Sequence, residues 1–287
     1  MVSTSAFETA RPHLTAVAFR LLGSIHDAED AVQSTWIKAS ATDERQVRDP
    51  IAWLTTLVSR VCIDMLRVRT RRSEEPLLAD TLPAHVVAAD EAYLQRETVS
   101  RAVMVLLGRL TADQRVAYVL HDLFGVPFRE VAESLDTSPD NAKQLASRAR
   151  RRIEGADSVP SAVTDDAVVD AFLAAAAGGD IDRMVSLMSD DCVRVVEPGL
   201  VAPGTPVRVA GARAIAEETK LFADRITASA PMLVDGRSAR VIAPGGHLLA
   251  VIAVTVTDGR VTRIEIGRLA ANALCALRFP AAGPGPG

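Results

Sequence analysis

Apolar residues recur at helical spacing over most of the first 155 positions of this 287-residue chain, and the pattern changes beyond Pro160. The first stripe, within Phe7 to Leu22, is Leu14, Val17, Ala18, Leu21 and Leu22, and Gly23-Ser24 ends it. A second helix follows in HDAEDAVQSTWIKAS, with Ala28, Ala31, Val32, Thr35 and Trp36 on one side and Asp27, Glu29 and Asp30 in the first turns, where the helix dipole favours acids. After a polar loop, Pro50 opens a third helix whose apolar face is Ile51, Leu54, Leu57, Val58, Val61, Met65 and Leu66. Ser73 to Asp90 holds two prolines and a local acid excess and shows no helical period until Ala88, so it reads as a linker. Helices resume from Glu91 with Tyr93, Leu94, Val99, Val103, Leu106 and Leu107, then again behind a Thr111 cap with Val116, Val119, Leu120 and Leu123. In Phe128 to Ile153 the stripe Val131, Leu135, Ala142, Ala146, Ala149, Ile153 is broken once, at Asp136 to Pro139. Ser138 is a good N-cap and Pro139 a good first helical residue, so the pattern is a helix-turn-helix.

Beyond Pro160 the pattern predicts a helix, a Gly178-Gly179-Asp180 stop, a second helix, and a strand from Cys192 to Val196. Further strands are expected at 230–234, 239–242, 247–256 and 261–266, with Asp235-Gly236 and Asp258-Gly259 as turns. Helices followed by a strand meander indicate an α+β domain behind two all-α units.

Charge narrows the function classes. The formal net charge of −4 excludes a globally basic nucleic-acid binder, so DNA contact has to come from local stripes. Two stripes exist. The second helix of the helix-turn-helix begins polar and ends in Arg148, Arg150, Arg151 and Arg152. Short amides and a lysine suit base edges and arginines suit phosphates, as a major-groove helix requires. Its candidate DNA-reading residues are Ser138, Asp140, Asn141, Lys143, Gln144, Ser147, Arg148 and Arg151. The third helix ends in Arg60, Arg67, Arg69, Arg71 and Arg72 against one acid, Asp64. Against both readings stands a plainer one: with 29 Arg and 3 Lys, Arg is the chain's default cation, and a basic helix end complements the macrodipole without DNA. Cys62, Cys192 and Cys275 lie far apart without metal spacing, as expected of reduced thiols. No signal-peptide pattern or membrane-length apolar run is present, so a cytoplasmic location without membrane contact is expected. His121, mid-helix, reads as structural.

DAEDAVQSTWIKA, then RDPIAWLTTLVSRVCIDMLRVRTRR, then the helix-turn-helix resemble, in order and spacing, the two modules of extracytoplasmic-function sigma factors. The resemblance implies a first module, residues 1–72, that binds the clamp helices of RNA polymerase core and melts the −10 element. It implies a linker at 73–95 near the polymerase active-site cleft, and a second module, 96–155, whose DNA-reading set above contacts the −35 element. Strand opening needs a flipped base in a pocket and a positive track. The matching positions are Arg48 in the loop Thr42 to Asp49, Trp53, Arg60 and Arg67, with Arg60 where Asn is frequent in the family. Trp53 serves equally as a core anchor between helices. Asp30, Gln33 and Trp36 match the polymerase-facing helix, with a solvated helix face as the alternative for Asp30 and Gln33.

FLAAAAGGDIDRMVSLMSDD, GARAIAEETKLF and IAVTVTDGRVTRIEI resemble the SnoaL-like branch of the NTF2-like cone fold over residues 160–278. Such cones enclose a pocket, and Asp191, Glu197, His247 and Glu265 are the candidate pocket residues, although no pair among them has a spacing that defines a mechanism. LAANALCAL and LLADTLPAH stand where related sigma factors carry NPDKL-like and WLPEP-like segments, so the contacts of those motifs do not transfer. The tail 279–287 is low-complexity and expected to be disordered.

The expectation is therefore a non-enzymatic initiation factor without metal or cofactor, partnered by polymerase core and promoter DNA, with an unknown small ligand for the C-terminal domain. The alternatives are an NTF2-like isomerase or hydrolase with a helical DNA-binding appendage, or a repressor or activator using the helix-turn-helix alone. The C-terminal domain is expected to regulate by docking. From residue 156 on, 12 basic residues face 15 acidic ones, against 20 and 21 before it, too small a difference for charge neutralisation.

Overall fold

In the computed structural model, residues 4–41, 49–71, 78–97, 100–154, 163–201, 204–234, 237–268 and 277–278 are described. The chain divides into two units, one of residues 1–99 with 103–154 and one of 155–287 with 100–102. The loop holding Arg48, the start of the linker, the Asp235-Gly236 turn, Cys275 and the tail lie outside the described residues.

The first unit is helical. Helix α1 (Thr4–Leu22) buries Phe7, Leu14, Val17, Phe19, Leu21 and Leu22. Gly23, at φ 79°, takes the left-handed position behind it and donates its N–H to Phe19 O at 2.8 Å. Ser24 then caps α2 (Ile25–Ser40), accepting the Asp27 N–H. Helix α3 (Pro50–Arg71) completes this bundle through Leu54, Val58, Cys62 and Ile63. Ile51, expected on the inner face, is 53% exposed in the first turn of α3.

The expected linker is shorter than its proline content suggested. Helix α4 (Ala84–Glu97) begins directly after Pro83, and its Tyr93 and Leu94 are buried. Asp90, also buried, accepts the Ile25 N–H at 2.7 Å, supplying an acceptor to the exposed donors at the start of α2. A carboxylate on the inner side of a helix hides the helical period from a count of apolar residues.

Helix α5 (Arg101–Leu107) precedes α6 (Ala112–Tyr118), which Thr111 and Gln114 close with a reciprocal capping box. A π-helical turn over Val119–Leu123 leads to α7 (Phe128–Leu135) and α8 (Pro139–Glu154). Asp136, at φ 53° and ψ 52°, ends α7 in the left-handed region. Glycine is commonest there, and aspartate is among the few other residues that adopt it at modest cost.

The second unit is α+β. Helices α9 (Val163–Gly178) and α10 (Ile181–Leu187), with α11 (Ala212–Thr219) and α12 (Ala223–Thr227), accompany one mixed sheet. Its strands are β1 (Met188–Val196), β2 (Arg208–Ala210), β3 (Ser229–Val234), β4 (Arg237–Ile242), β5 (Ala250–Thr257), β6 (Arg260–Gly267) and β7 (Leu277–Arg278), in the order β2-β1-β6-β5-β4-β3-β7. β1 starts four residues before the expected strand and lies parallel to β6, so the sheet is not a simple meander. Asp258 (φ 54°) and Gly259 (φ 72°) make the two-residue hairpin turn between β5 and β6. Phe172, Ala176, Met184, Met188, Cys192, Ile215, Ile252 and Val261 form the core between the helices and the sheet.

Candidate nucleic-acid interface and C-terminal cavity

Helix α8 separates its two faces by residue size. Ala142, Ala146 and Ala149 are 0% exposed, and the missing side-chain bulk lets α8 lie close on α6 and α7. Ser138, Asp140, Asn141, Lys143, Gln144, Arg148 and Arg151 are all exposed, and Ser147 is half-buried. Ser138 Oγ accepts the Asn141 N–H at 3.2 Å, so the expected cap is in place. Asn141 Nδ2 donates to Thr137 Oγ1 at 2.9 Å, and Lys143 stands 3.5 Å from Asp140, an exposed pair of little energetic weight. The remaining arginines are tethered: Arg150 to Asp122 at 2.6 Å and Arg152 to Gln114 at 3.0 Å. These two hold α8 on its own module, while Arg148 and Arg151, with Lys143, face outward without a tether to another helix among the described residues, a division that the arginine count alone could not reveal.

Helix α3 is arranged differently. Arg60 Nη2 donates to the carbonyl oxygen of Glu133 on α7 at 2.8 Å. Trp53 is half-buried, and with Arg60, Arg129, Glu130 and Glu133 it lines a cleft of about 260 Å³ between α3 and the first helix of the helix-turn-helix. Nearby, Phe124 stands edge-on to His13 with centroids 5.3 Å apart, and the Arg20 guanidinium lies 5.1 Å from the Phe124 centroid. Burial holds the His13 pKa below its usual value. Arg115 of α6 is half-buried and donates to the Leu21 carbonyl at 2.9 Å, where Arg69 of α3 donates to the neighbouring Leu22 carbonyl at 3.0 Å. Two arginines thus satisfy the free carbonyls at the end of α1. Burial, with the like charge of Arg69 behind it, lowers the Arg115 pKa to about 10. Arg69 also pairs with Asp27, so it is a structural residue, while Arg67 is exposed.

On α2, Asp30 and Gln33 are exposed while Ala31, Val32 and Thr35 are buried. Trp36 is half-buried, its ring 4.9 Å from that of Phe7. Ile37, 64% exposed, shares the outer face with Gln33, one turn away, and Asp30, two turns away. An exposed isoleucine there was legible only as part of the helix, because its partnership depends on what stays outside the bundle. His121 is structural: its Nδ1 lies 2.9 Å from Val126 O, and its ring stacks on Phe128 at 3.7 Å.

In the second unit, α9, the 212–227 helices and strands β1, β4, β5 and β6 surround a cavity of about 70 Å³ in which the centre of a water-sized sphere can move. None of the four candidate pocket residues lines it. On β1 and β6 the cavity takes the even-numbered residues Arg194, Val196, Ile264 and Ile266, so Asp191, Glu197 and Glu265 fall on the other face by the two-residue period of a strand. Asp191 is exposed, and Glu265 pairs with Arg263 at 2.8 Å. Glu197 accepts both the backbone N–H of Arg268, at 2.7 Å, and its guanidinium, at 3.1 Å. Those hydrogen bonds hold its carboxyl below the usual range, so it is ionised and has no proton to give near neutrality. His247 is buried in the turn before β5, away from the cavity lining.

The cavity's charged residues are instead Arg194 and Glu218, which form an ion pair. Arg194 is 6% exposed on β1 and also donates to the carbonyls of Pro206, at 3.0 Å, and Val207, at 3.4 Å. Neither residue stands out in the sequence, since the pairing joins a strand to a helix 24 residues later. Burial raises the Cys192 pKa to about 11, as expected of an inert core thiol. Among the described residues no His, Cys, Asp and Glu group has a metal-holding arrangement, and no helix is long and apolar enough to cross a membrane.

Two family models match the chain in order, Sigma-70 region 2 over residues 6–72 and Sigma-70, region 4 over residues 100–153. The chain is 45% identical over 206 residues to the ECF RNA polymerase sigma factor SigJ of Mycobacterium tuberculosis, a match that spans 66% of this chain and 63% of that relative's length. It is 28% identical over 277 residues to the probable ECF RNA polymerase sigma factor SigI of the same species, covering 92% of each. A crystal structure of the M. tuberculosis SigJ aligns with 96% of this chain and 99% of that chain at 34% identity, with a TM-score of 0.43. With a region 2 module and a region 4 module in sequence, each carrying a basic helix, the chain belongs to the extracytoplasmic-function sigma factors of RNA polymerase.

Proposed function

We propose that this chain brings RNA polymerase core to promoters through three surfaces and that its C-terminal α+β domain modulates the outcome. The polymerase surface is the outer face of α2, Asp30 and Gln33 with Ile37 added, where an apolar residue flanked by polar ones suits a protein partner and Trp36 braces the helix from behind. The −35 surface is the outer face of α8. Asn141, Lys143 and Gln144 reach base edges, and Arg148 and Arg151 reach phosphates. The −10 surface comprises Trp53, Arg60 and Arg67 on α3. Because Arg60 donates to Glu133 and Trp53 lines the cleft against α7, the two modules have to separate before those residues receive a single strand.

The observation that carries this reading is the division of α8 into three fully buried alanines and an exposed polar face. A helix needs that division to lie on its own module and in a groove at once. The proposed domain bounds are 1–72, 96–155 and 160–278, with α4 beginning in the intervening stretch and ending at Glu97. Initiation belongs to the polymerase complex, and this chain contributes binding. The C-terminal cavity, whose mainly apolar wall holds the Arg194–Glu218 ion pair and Arg225, supports ligand sensing better than proton transfer.

Run-off transcription with purified core polymerase and the full-length chain tests the proposal. Transcripts should require both promoter elements, and Asp30→Arg should lower affinity for core with circular dichroism unchanged, since reversing an interface charge leaves its partner unpaired. Tight promoter binding without polymerase, unaffected by Asp30→Arg, would point to a repressor or activator instead.

A further inference from the structure

We infer that the C-terminal cavity binds a small neutral molecule with an apolar body and one hydrogen-bond donor, the donor directed at Glu218 Oε1. The argument rests on how the polar atoms in the cavity wall are used. Arg194 spends its guanidinium on Glu218 Oε2 and on the carbonyls of Pro206 and Val207, so it has little left for an incoming carboxylate or carbonyl. Glu218 Oε1 is buried and has no hydrogen-bond partner among the described residues. A buried acceptor left unmet is costly, and a ligand that donates to it recovers that cost on binding. The rest of the wall is apolar, with Phe172, Leu173, Phe222, Ile226, Ile252 and Ile264 around the space.

Charge and size set the class of ligand. The Arg194–Glu218 pair is formally neutral, and the other charged residue of the wall is Arg225, whose guanidinium donates to Leu200 O at 2.7 Å and lies 5.7 Å from the Phe222 centroid. An ammonium group would enter a wall of net positive charge and lose its hydration, while a carboxylate would meet Glu218. A hydroxyl or a neutral N–H meets neither penalty. At roughly 10–15 Å³ of such space per water, the cavity suits several waters or a single substituted ring.

The probes are para-cresol, its isostere para-xylene, which replaces the hydroxyl with a methyl, and 4-methylbenzoate. Each is titrated into the full-length chain labelled at isoleucine methyls, with Ile226, Ile252 and Ile264 as reporters. We expect saturable shifts with para-cresol, binding roughly tenfold weaker with para-xylene, and none with 4-methylbenzoate. Glu218→Met, which removes the acceptor at similar volume, should erase the preference for cresol over xylene, and Val201→Trp, which adds bulk to the cavity wall, should weaken both. Circular dichroism checks the folding of each variant, and if either fails to fold, the cresol-to-xylene ratio on the unaltered chain decides. Equal binding of cresol and xylene, tighter binding of 4-methylbenzoate, or no shift with any probe overturns the inference. Binding is read without polymerase, so the result is independent of whether the domain modulates transcription.

Discussion

Helix α3 ends in Arg67 and Arg69 behind Arg60, and helix α8 ends in Arg148 and Arg150 to Arg152, so by composition they look like the same device. Their surroundings differ. On α8 the inner face is alanine, the tethered arginines hold the helix to its own module, and the polar outer face meets solvent. On α3, Arg60 is spent on a carbonyl of the other module, Arg69 on the end of α1 and on Asp27, and Trp53 lines a cleft rather than an open surface. The outer face of α8, proposed to read the −35 element, is open, whereas on α3, proposed to meet the −10 element, Arg60 and Trp53 already engage α7 while Arg67 stays exposed. A basic helix therefore announces a capacity, and its packing partner sets whether that capacity is available.

The largest effect is expected from breaking the inner face of α8. Ala146→Asp places an unpaired charge where exposure is 0% and should cost about 4 kcal/mol, collapsing thermal stability and −35 binding together. A variant as stable as the parent would show that α8 does not rest on those alanines. On the outer face, Gln144→Ala and Arg148→Ala should leave stability unchanged and reduce discrimination between cognate and altered −35 sequences by about 1–3 kcal/mol each. Holoenzyme binding across −35 variants checks this, and equal losses on cognate and scrambled DNA would reject a base-reading role for Gln144.

The covered state of α3 can be opened with a smaller change. Phe124→Ala removes the ring shared by His13 and Arg20 and should weaken the junction by about 1–2 kcal/mol. Trp53 emission should shift to the red and the radius from small-angle scattering should grow, whereas Gln144→Ala moves neither. An unchanged Trp53 signal would mean that the junction does not depend on Phe124. The smallest effect is a pH dependence. The folded pKa of His13 is depressed by burial, so the fold holds the neutral ring. Its contribution is fully present above about pH 6.5 and is lost as the pH falls through the folded value. Thermal midpoints below pH 6.5 should therefore decline less steeply in His13→Gln than in the parent. An identical slope in the two proteins would remove His13 from that account.

The elements whose signals are local could be read directly from the residues. The Gly23-Ser24 junction, the Pro50 start of α3, the Thr111 capping box and the Ser138-Pro139 entry to α8 each lie within a few residues, and backbone sterics and unsatisfied helix ends dictate them whatever surrounds them. The exposed face of α8 was legible for the same reason, because the alanine stripe assigns inside and outside together. The remaining features depend on partners distant in sequence. The burial of Asp90 on the inner side of α4 depends on its meeting the Ile25 N–H, a contact 65 residues away. The parallel pairing of β1 with β6 decides which parity of each strand looks inward, and so exchanges Glu197 and Glu265 for Arg194 as the charged strand residue of the cavity. A strand's period says that its residues alternate but not which set faces the core when both sets hold charges. That choice is made by the energy of burying one set, and Arg194 could be buried only because Glu218 and two carbonyls were there to receive it.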